Sequence, residues 1–118
     1  MPIPKEIQGQ KYVCLTTFRK SGVGIPTPVW FAERDGKLYV KTRIESGKSK
    51  RIRNNPSVRV APCTIRGKIL GPEFVGRARI LAVEHFGPAK EVINRKYFLA
   101  RLSFWNSKNE YLEIEFAE

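Results

Sequence analysis

The sequence has one histidine, two cysteines, and 11 acidic residues against 22 basic ones. Each shortage excludes a class of chemistry. A single histidine, His85, with no paired-cysteine spacing leaves no set of residues suited to hold a metal. A Ser-His-Asp or Cys-His arrangement would rest wholly on His85. That residue stands beside Phe86-Gly87-Pro88 at the expected end of a strand and reads as a surface or turn histidine. No apolar run approaches the roughly 18–20 residues that span a bilayer. The N-terminal MPIPKEIQGQKY has no apolar export core. Cys14 and Cys63 each lie in an apolar, strand-like run, which suits buried, reduced thiols in a cytoplasmic protein.

What is present fits one folded domain over residues 1–118, long enough for a single core and too short for two. Aromatics make up 11% of the chain and hydrophobic residues 42%, which excludes a disordered tail. The net charge of +11 attracts anions of any kind: nucleic acid, an anionic surface or a polyanionic cofactor. Single-stranded nucleic acid needs exposed aromatic platforms, whereas here pairs such as Trp30-Phe31 and Phe104-Trp105 fall within apolar runs. The aromatics therefore argue against nucleic acid as the partner.

Periodicity and turn residues predict about six strands. These are YVCLTTF (12–18), TPVWFAER (27–34), KLYVKTR (37–43), SVRVAPC (57–63), FVGRARILAV (74–83) and YLEIEFAE (111–118). Asp35-Gly36 should close a tight hairpin, and Gly76 is a candidate bulge. In the last strand Leu112, Ile114 and Phe116 alternate with Glu113 and Glu115, which read as a solvated rim. One helix is expected from an N-cap at Ser46 to about Asn54, stopped by Pro56. A second should start after Gly87-Pro88, with Val92, Ile93, Phe98, Leu99 and Leu102 on its apolar face. Many strands with little helix point to a mainly β, six-stranded antiparallel barrel with short helices.

The stretch TRIESGKSKRIRNNP raises the question of phosphate. A nucleotide-hydrolysing loop needs a glycine four residues before Gly-Lys-Ser, and Thr42 stands there instead. Anion capture survives without that motif. A helix capped by Ser46 would leave the N–H groups of Gly47, Lys48 and Ser49 pointing outward together, and Lys48, Lys50 and Arg51 add charge within one turn. The competing reading is a solvated basic face.

The run from PTPVWF through LYVKTRIESGKSKRIRNNPSVRVAPC to GPEFVGRARIL resembles the pyridoxamine-phosphate-oxidase-like split-barrel family. It is most similar to the small branch that uses flavin (FMN) or the deazaflavin coenzyme F420. The resemblance implies a homodimeric split β-barrel and a cofactor phosphate at Thr42, Ser46, Gly47 and Lys48, with Lys50 and Arg51 as nearby cations. It lays the cofactor ring along Thr27, Pro28, Val29 and Trp30, although Trp30 reads equally as a core residue. The implied activity is hydride transfer from the cofactor to a small unsaturated substrate. A non-catalytic flavin or deazaflavin carrier is the alternative. F420 carries a phosphodiester and a polyglutamate tail, so the basic surplus around Arg43, Lys50, Arg51, Arg53 and Arg59 favours it over FMN.

Overall fold

The structure, a computed structural model, describes residues 2–97 and 108–117. Seven strands are present: β1 (Tyr12–Phe18), β2 (Gly24–Trp30), β3 (Ala32–Arg34), β4 (Lys37–Arg43), β5 (Ser57–Cys63), β6 (Phe74–Ile80) and β7 (Asn109–Phe116). Helix α1 (Gly47–Asn54) follows β4, and α2 (Phe86–Lys96) follows a single 3-10 turn at Val83–His85. All pairings are antiparallel, in the order β2-β1-β5-β6-β7-β4-β3. The two edge strands, β2 and β3, are separated in the chain by Phe31 alone. The sheet thus curls until its opposite edges are two halves of one segment, which makes a half-barrel.

That break corrects the expectation of one strand over 27–34 and gives seven strands rather than six. Phe31 is fully buried, and among the described residues its backbone pairs with no strand. Its N–H donates to the Tyr97 hydroxyl oxygen at 3.2 Å, and its carbonyl lies 2.8 Å from that same hydroxyl. The sidestep therefore leaves the buried Phe31 N–H with an acceptor. Strand β2 also begins earlier than read, at Gly24, so Pro26 and Pro28 fall inside it. An edge strand tolerates them because its outer side has no ladder to complete.

Inward-facing Val13 and Leu15 of β1, Leu38 and Val40 of β4, Val58 and Val60 of β5, and Leu112 and Ile114 of β7 are all fully buried. Ile52 of α1 and Ile7 of the N-terminal turn join this core. At roughly 1.5–3 kcal/mol for each large apolar side chain removed from water, this barrel interior dominates the folding energy. A second cluster lies on the outer face, where Ala89 and Ile93 of α2 pack with Tyr97 over Ala32, Tyr39 and Tyr111. Val92 is partly buried against it, whereas Phe98, Leu99 and Leu102 lie outside the described residues.

The Asp35-Gly36 turn takes positive φ at both positions, 51° and 77°, as a two-residue hairpin of this kind requires. Gly76 is not a bulge. Its register runs unbroken to Val58 on one side and Phe116 on the other. Glycine is needed there because a Cβ would stand 3.0 Å from the Glu115 carbonyl oxygen and 3.2 Å from Ile114 Cγ2. Strand β6 stops at Ile80 rather than Val83, and α2 starts at Phe86, ahead of Gly87-Pro88. Glu115 is exposed as a rim residue should be, but Glu113 is 6% exposed. Glu113 is buried because Tyr39, Arg79 and Lys37 close around its carboxylate.

Candidate functional site

Strand β2 and the end of β4 face each other across a cleft of about 500 Å³. From β2 come Pro28, Val29 and Trp30; from β4 and the segment after it come Lys41, Thr42, Arg43, Ser46 and Lys48. Tyr12 of β1 and Ile65 complete the lining. Three of these residues are cationic and none is acidic, so the cleft favours an anion. Lys41 and Arg43 alternate on one face of β4, roughly 6.6 Å apart along the strand. They form a basic track between the Trp30 region and the start of α1.

The turn between β4 and α1 is built by a chain of hydroxyl groups. Ser49 donates to the Arg43 carbonyl at 3.1 Å, and Ser46 donates to Ser49 at 3.2 Å. Thr42, 2.9 Å from Ser46, must then be the donor of that pair. Ser46 also caps the helix, accepting the Ser49 N–H at 3.1 Å. All three hydroxyl protons are spent inside the turn. Thr42 and Ser46, both expected at the ligand, line the cleft while their hydroxyls bond within the turn. The N–H groups of Gly47 and Lys48 have no acceptor among the described residues, and α1 has no acidic residue in its first turn.

The remaining expected residues are distributed unevenly. Arg51 belongs to the last turn of α1 and does not line the cleft; its side chain reaches back toward the helix start, its Nε donating to Thr17 Oγ1 at 2.6 Å. Its Nη1 lies 2.7 Å from where a Cβ on Gly47 would be, so Gly47 leaves room for the guanidinium. Lys50 is exposed and does not line the cleft, and Thr27 stands further along β2, paired with Leu15. Arg53 is committed to Glu110 at 3.0 Å and to the Ile44 carbonyl, and Arg59 lies 3.9 Å from Glu73. Burial, and then the Arg51 charge, push the Lys48 ammonium below its ordinary pKa. Burial and Lys90 do the same to Lys41.

Tyr12, Lys41 and Ile65 line the cleft without having been singled out in the sequence. The alternation of Lys41 with Arg43 carried a signal; the irregular stretch around Ile65 carried none. His85 is exposed at the start of α2, away from the cleft lining. Both cysteines are buried, and burial raises Cys14 and takes Cys63 up to about 11, so the thiols stay protonated at neutral pH. A second groove of about 420 Å³ is lined by Lys37, Arg77, Ala78, Arg79, Glu113 and Glu115. There Lys37 and Arg79 are paired with the two glutamates, which leaves that groove little net attraction for an anion.

The sequence matches the pyridoxamine 5'-phosphate oxidase family over residues 3–118. The chain belongs to that family. Solved structures share the family's split-barrel fold at low identity. A conserved hypothetical protein from Mycobacterium tuberculosis superposes with a TM-score of 0.72 at 20% identity, covering 93% of this chain and 75% of its own. The heme storage protein HutZ from Vibrio cholerae gives 0.76 at 11% identity, with 94% and 84% covered. A protein of unknown function from Agrobacterium tumefaciens gives 0.78 at 17% identity over 92% of this chain, which spans about half (49%) of that protein's length. No functionally curated protein matches the sequence. Among the described residues no helix is long and apolar enough to cross a membrane, and no cluster of His, Cys, Asp or Glu could hold a metal ion.

Proposed function

We propose that the cleft binds a phosphorylated flavin-type cofactor, coenzyme F420 by preference and FMN as the alternative, in an oxidoreductase that reduces a small unsaturated substrate. One observation carries this reading. A helix start whose Gly47 and Lys48 N–H groups have no acceptor among the described residues borders an acid-free cleft lined by cationic side chains and an indole. The residues fit such a ligand: Gly47 and Lys48 would hold the phosphate through backbone N–H groups, with Lys48 and Arg51 adding charge. Pro28, Val29 and Trp30 would lie along the ring. The bound cofactor supplies the hydride, and the chain supplies position and electrostatics. The exposed basic Arg43 suits F420's longer anionic tail.

The reading includes a homodimer. Ile65, which lines the cleft, and Ile69 and Leu70 of the same connection are 64%, 52% and 53% exposed, and a second copy covering Ile65 would also cover that side of the cleft. Two buried, unbridged thiols support a reducing, cytoplasmic setting.

A second reading, cofactor binding without turnover, draws support from the heme storage neighbour. The cleft would offer heme iron no histidine, since the one histidine is exposed and does not line it; Tyr12 does. The test is to mix the purified protein with FMN, FAD, F420 or heme, desalt, and read retained absorbance and fluorescence. Retention of F420 or FMN is expected. Retention of heme alone would replace the oxidoreductase reading with the carrier one, and retention of none would remove both.

A further inference from the structure

Thr17 faces inward at the end of β1 and is fully buried, a costly place for a hydroxyl among apolar neighbours. Its Oγ1 accepts from Arg51 Nε at 2.6 Å. That bond uses one of the five guanidinium N–H donors, and the four on Nη1 and Nη2 have no partner among the described residues. Nη1 lies across the first turn of α1, where even a methyl group on Gly47 would collide with it.

A cation is electrostatically misplaced at this end of a helix, since the free N–H groups already carry partial positive charge. Lys48 stands within the same turn and adds a second cation, whose ammonium the guanidinium disfavours. A strut joining β1 to α1 would need neither the charge nor the four idle donors. An incoming anion removes the conflict and takes up the donors two at a time.

We propose that Thr17 is a positioning residue that fixes the Arg51 guanidinium over the start of α1 as a preset fork for the ligand's phosphate. The inference rests on the phosphate reading above. It adds that affinity for the phosphate depends on a buried hydroxyl that the ligand never touches.

The experiment compares each cofactor with its phosphate-free counterpart: FMN with riboflavin, and F420 with its dephosphorylated deazaflavin core. Dissociation constants are measured for the wild type, Thr17→Val, Thr17→Ser, Arg51→Ala and the Thr17→Val/Arg51→Ala double variant. Thr17→Val should cut the preference for the phosphorylated member about tenfold, the scale of one charge-assisted bond. Thr17→Ser should retain the preference, and Thr17→Val should add nothing to Arg51→Ala. An unchanged preference in Thr17→Val, or an equal loss for both members of each pair, overturns the inference while leaving the cofactor reading intact. A wild-type protein that binds neither FMN nor F420 overturns both.

Discussion

The indole of Trp30 and the phenol of Tyr97 stack with centroids 4.7 Å apart and planes inclined by 7°. Trp30 ends β2 and lines the cleft, while Tyr97 closes α2. One face of the indole is therefore already taken, and a flat ligand can meet only the other face or the edge. The Tyr97 hydroxyl accepts the Phe31 N–H, and its single proton goes to one of two carbonyls, Lys11 at 2.5 Å or Phe31 at 2.8 Å. Lys96, next in the chain, places its ammonium 3.6 Å from the Phe31 ring centroid. The C-terminal end of α2 thus fixes the point at which the barrel's wall changes strand.

Tyr97→Phe isolates the hydroxyl from the ring. The stack on Trp30 should persist, while the buried Phe31 N–H loses its acceptor. A loss of about 1–3 kcal/mol in unfolding free energy is expected, read by urea denaturation. Cofactor affinity should change little. Full stability in Tyr97→Phe would mean that water or a backbone shift replaces the phenol.

Lys48→Ala should weaken cofactor binding by about tenfold to a hundredfold, measured by fluorescence titration, with the fold nearly unaffected. The N–H groups of Gly47 and Lys48 remain, so binding should fall and not vanish. Because the folded protein holds the Lys48 ammonium below its ordinary value of 10.5, its charge costs stability below the folded pKa. That cost is relieved as pH rises through the interval between the folded pKa and 10.5. A bound phosphate acts in the opposite sense and favours the charged form. Wild-type affinity should therefore decline as pH rises toward 10.5, and Lys48→Ala should flatten that decline. The same affinity and the same pH profile in both proteins would place the phosphate elsewhere.

Much of the barrel was legible because its signals are local. The strands KLYVKTR and SVRVAPC, the Asp35-Gly36 turn and the Ser46 cap each rest on signals within a few residues, and each appears in the structure as read. The break at Phe31 was not legible, because its cause is a hydroxyl 66 residues away at Tyr97. Burial of Glu113 was hidden in the same way, since its partners come from β4 and β6. Seven of the expected site residues line the cleft, because strand alternation and one helical turn set their directions. Ile65 stands in an irregular connection, where no period announces what a side chain will face.

Arg43→Ala bears on which cofactor is preferred. In the proposed reading the Arg51 guanidinium, held by Thr17 over the first turn of α1, acts on a phosphate that both cofactors share. Arg43 is exposed and lines the cleft, and it is better placed to meet a polyglutamate tail. Its removal should weaken F420 more than FMN by severalfold at low salt, and the gap should close as salt screens exposed charge. Parallel titrations at two ionic strengths decide it. Equal losses at both would withdraw the argument from charge and leave F420 and FMN on the same footing.

Glu113→Gln tests the buried carboxylate on the outer face of β7. Tyr39 donates to its Oε2 at 2.8 Å, Arg79 Nε donates to its Oε1 at 2.7 Å, and Lys37 stands 3.7 Å away. Burial alone would raise its pKa. The bonds from Arg79 and Tyr39, with the charges of Arg79 and Lys37, outweigh burial and hold it below its ordinary 4.5. Burial, and then the same bond, lift the Tyr39 phenol to about 12, so Tyr39 remains a donor across the working range. A carboxylate held low contributes stability that is fully present above its unfolded pKa. That stability is lost as pH falls through the folded value. Glutamine keeps the shape and an acceptor but not the charge. Because the Arg79 side chain is 69% exposed, solvent screens the pair, and the expected cost at pH 7 is only about 1–2 kcal/mol. The gap between wild type and Glu113→Gln should shrink as pH drops below about 4, where both side chains are neutral. Urea midpoints at pH 7 and pH 3 measure it. A gap of the same size at both values would mean that the cost comes from the glutamine amide N–H2 facing the Tyr39 and Arg79 donors, and not from the lost charge.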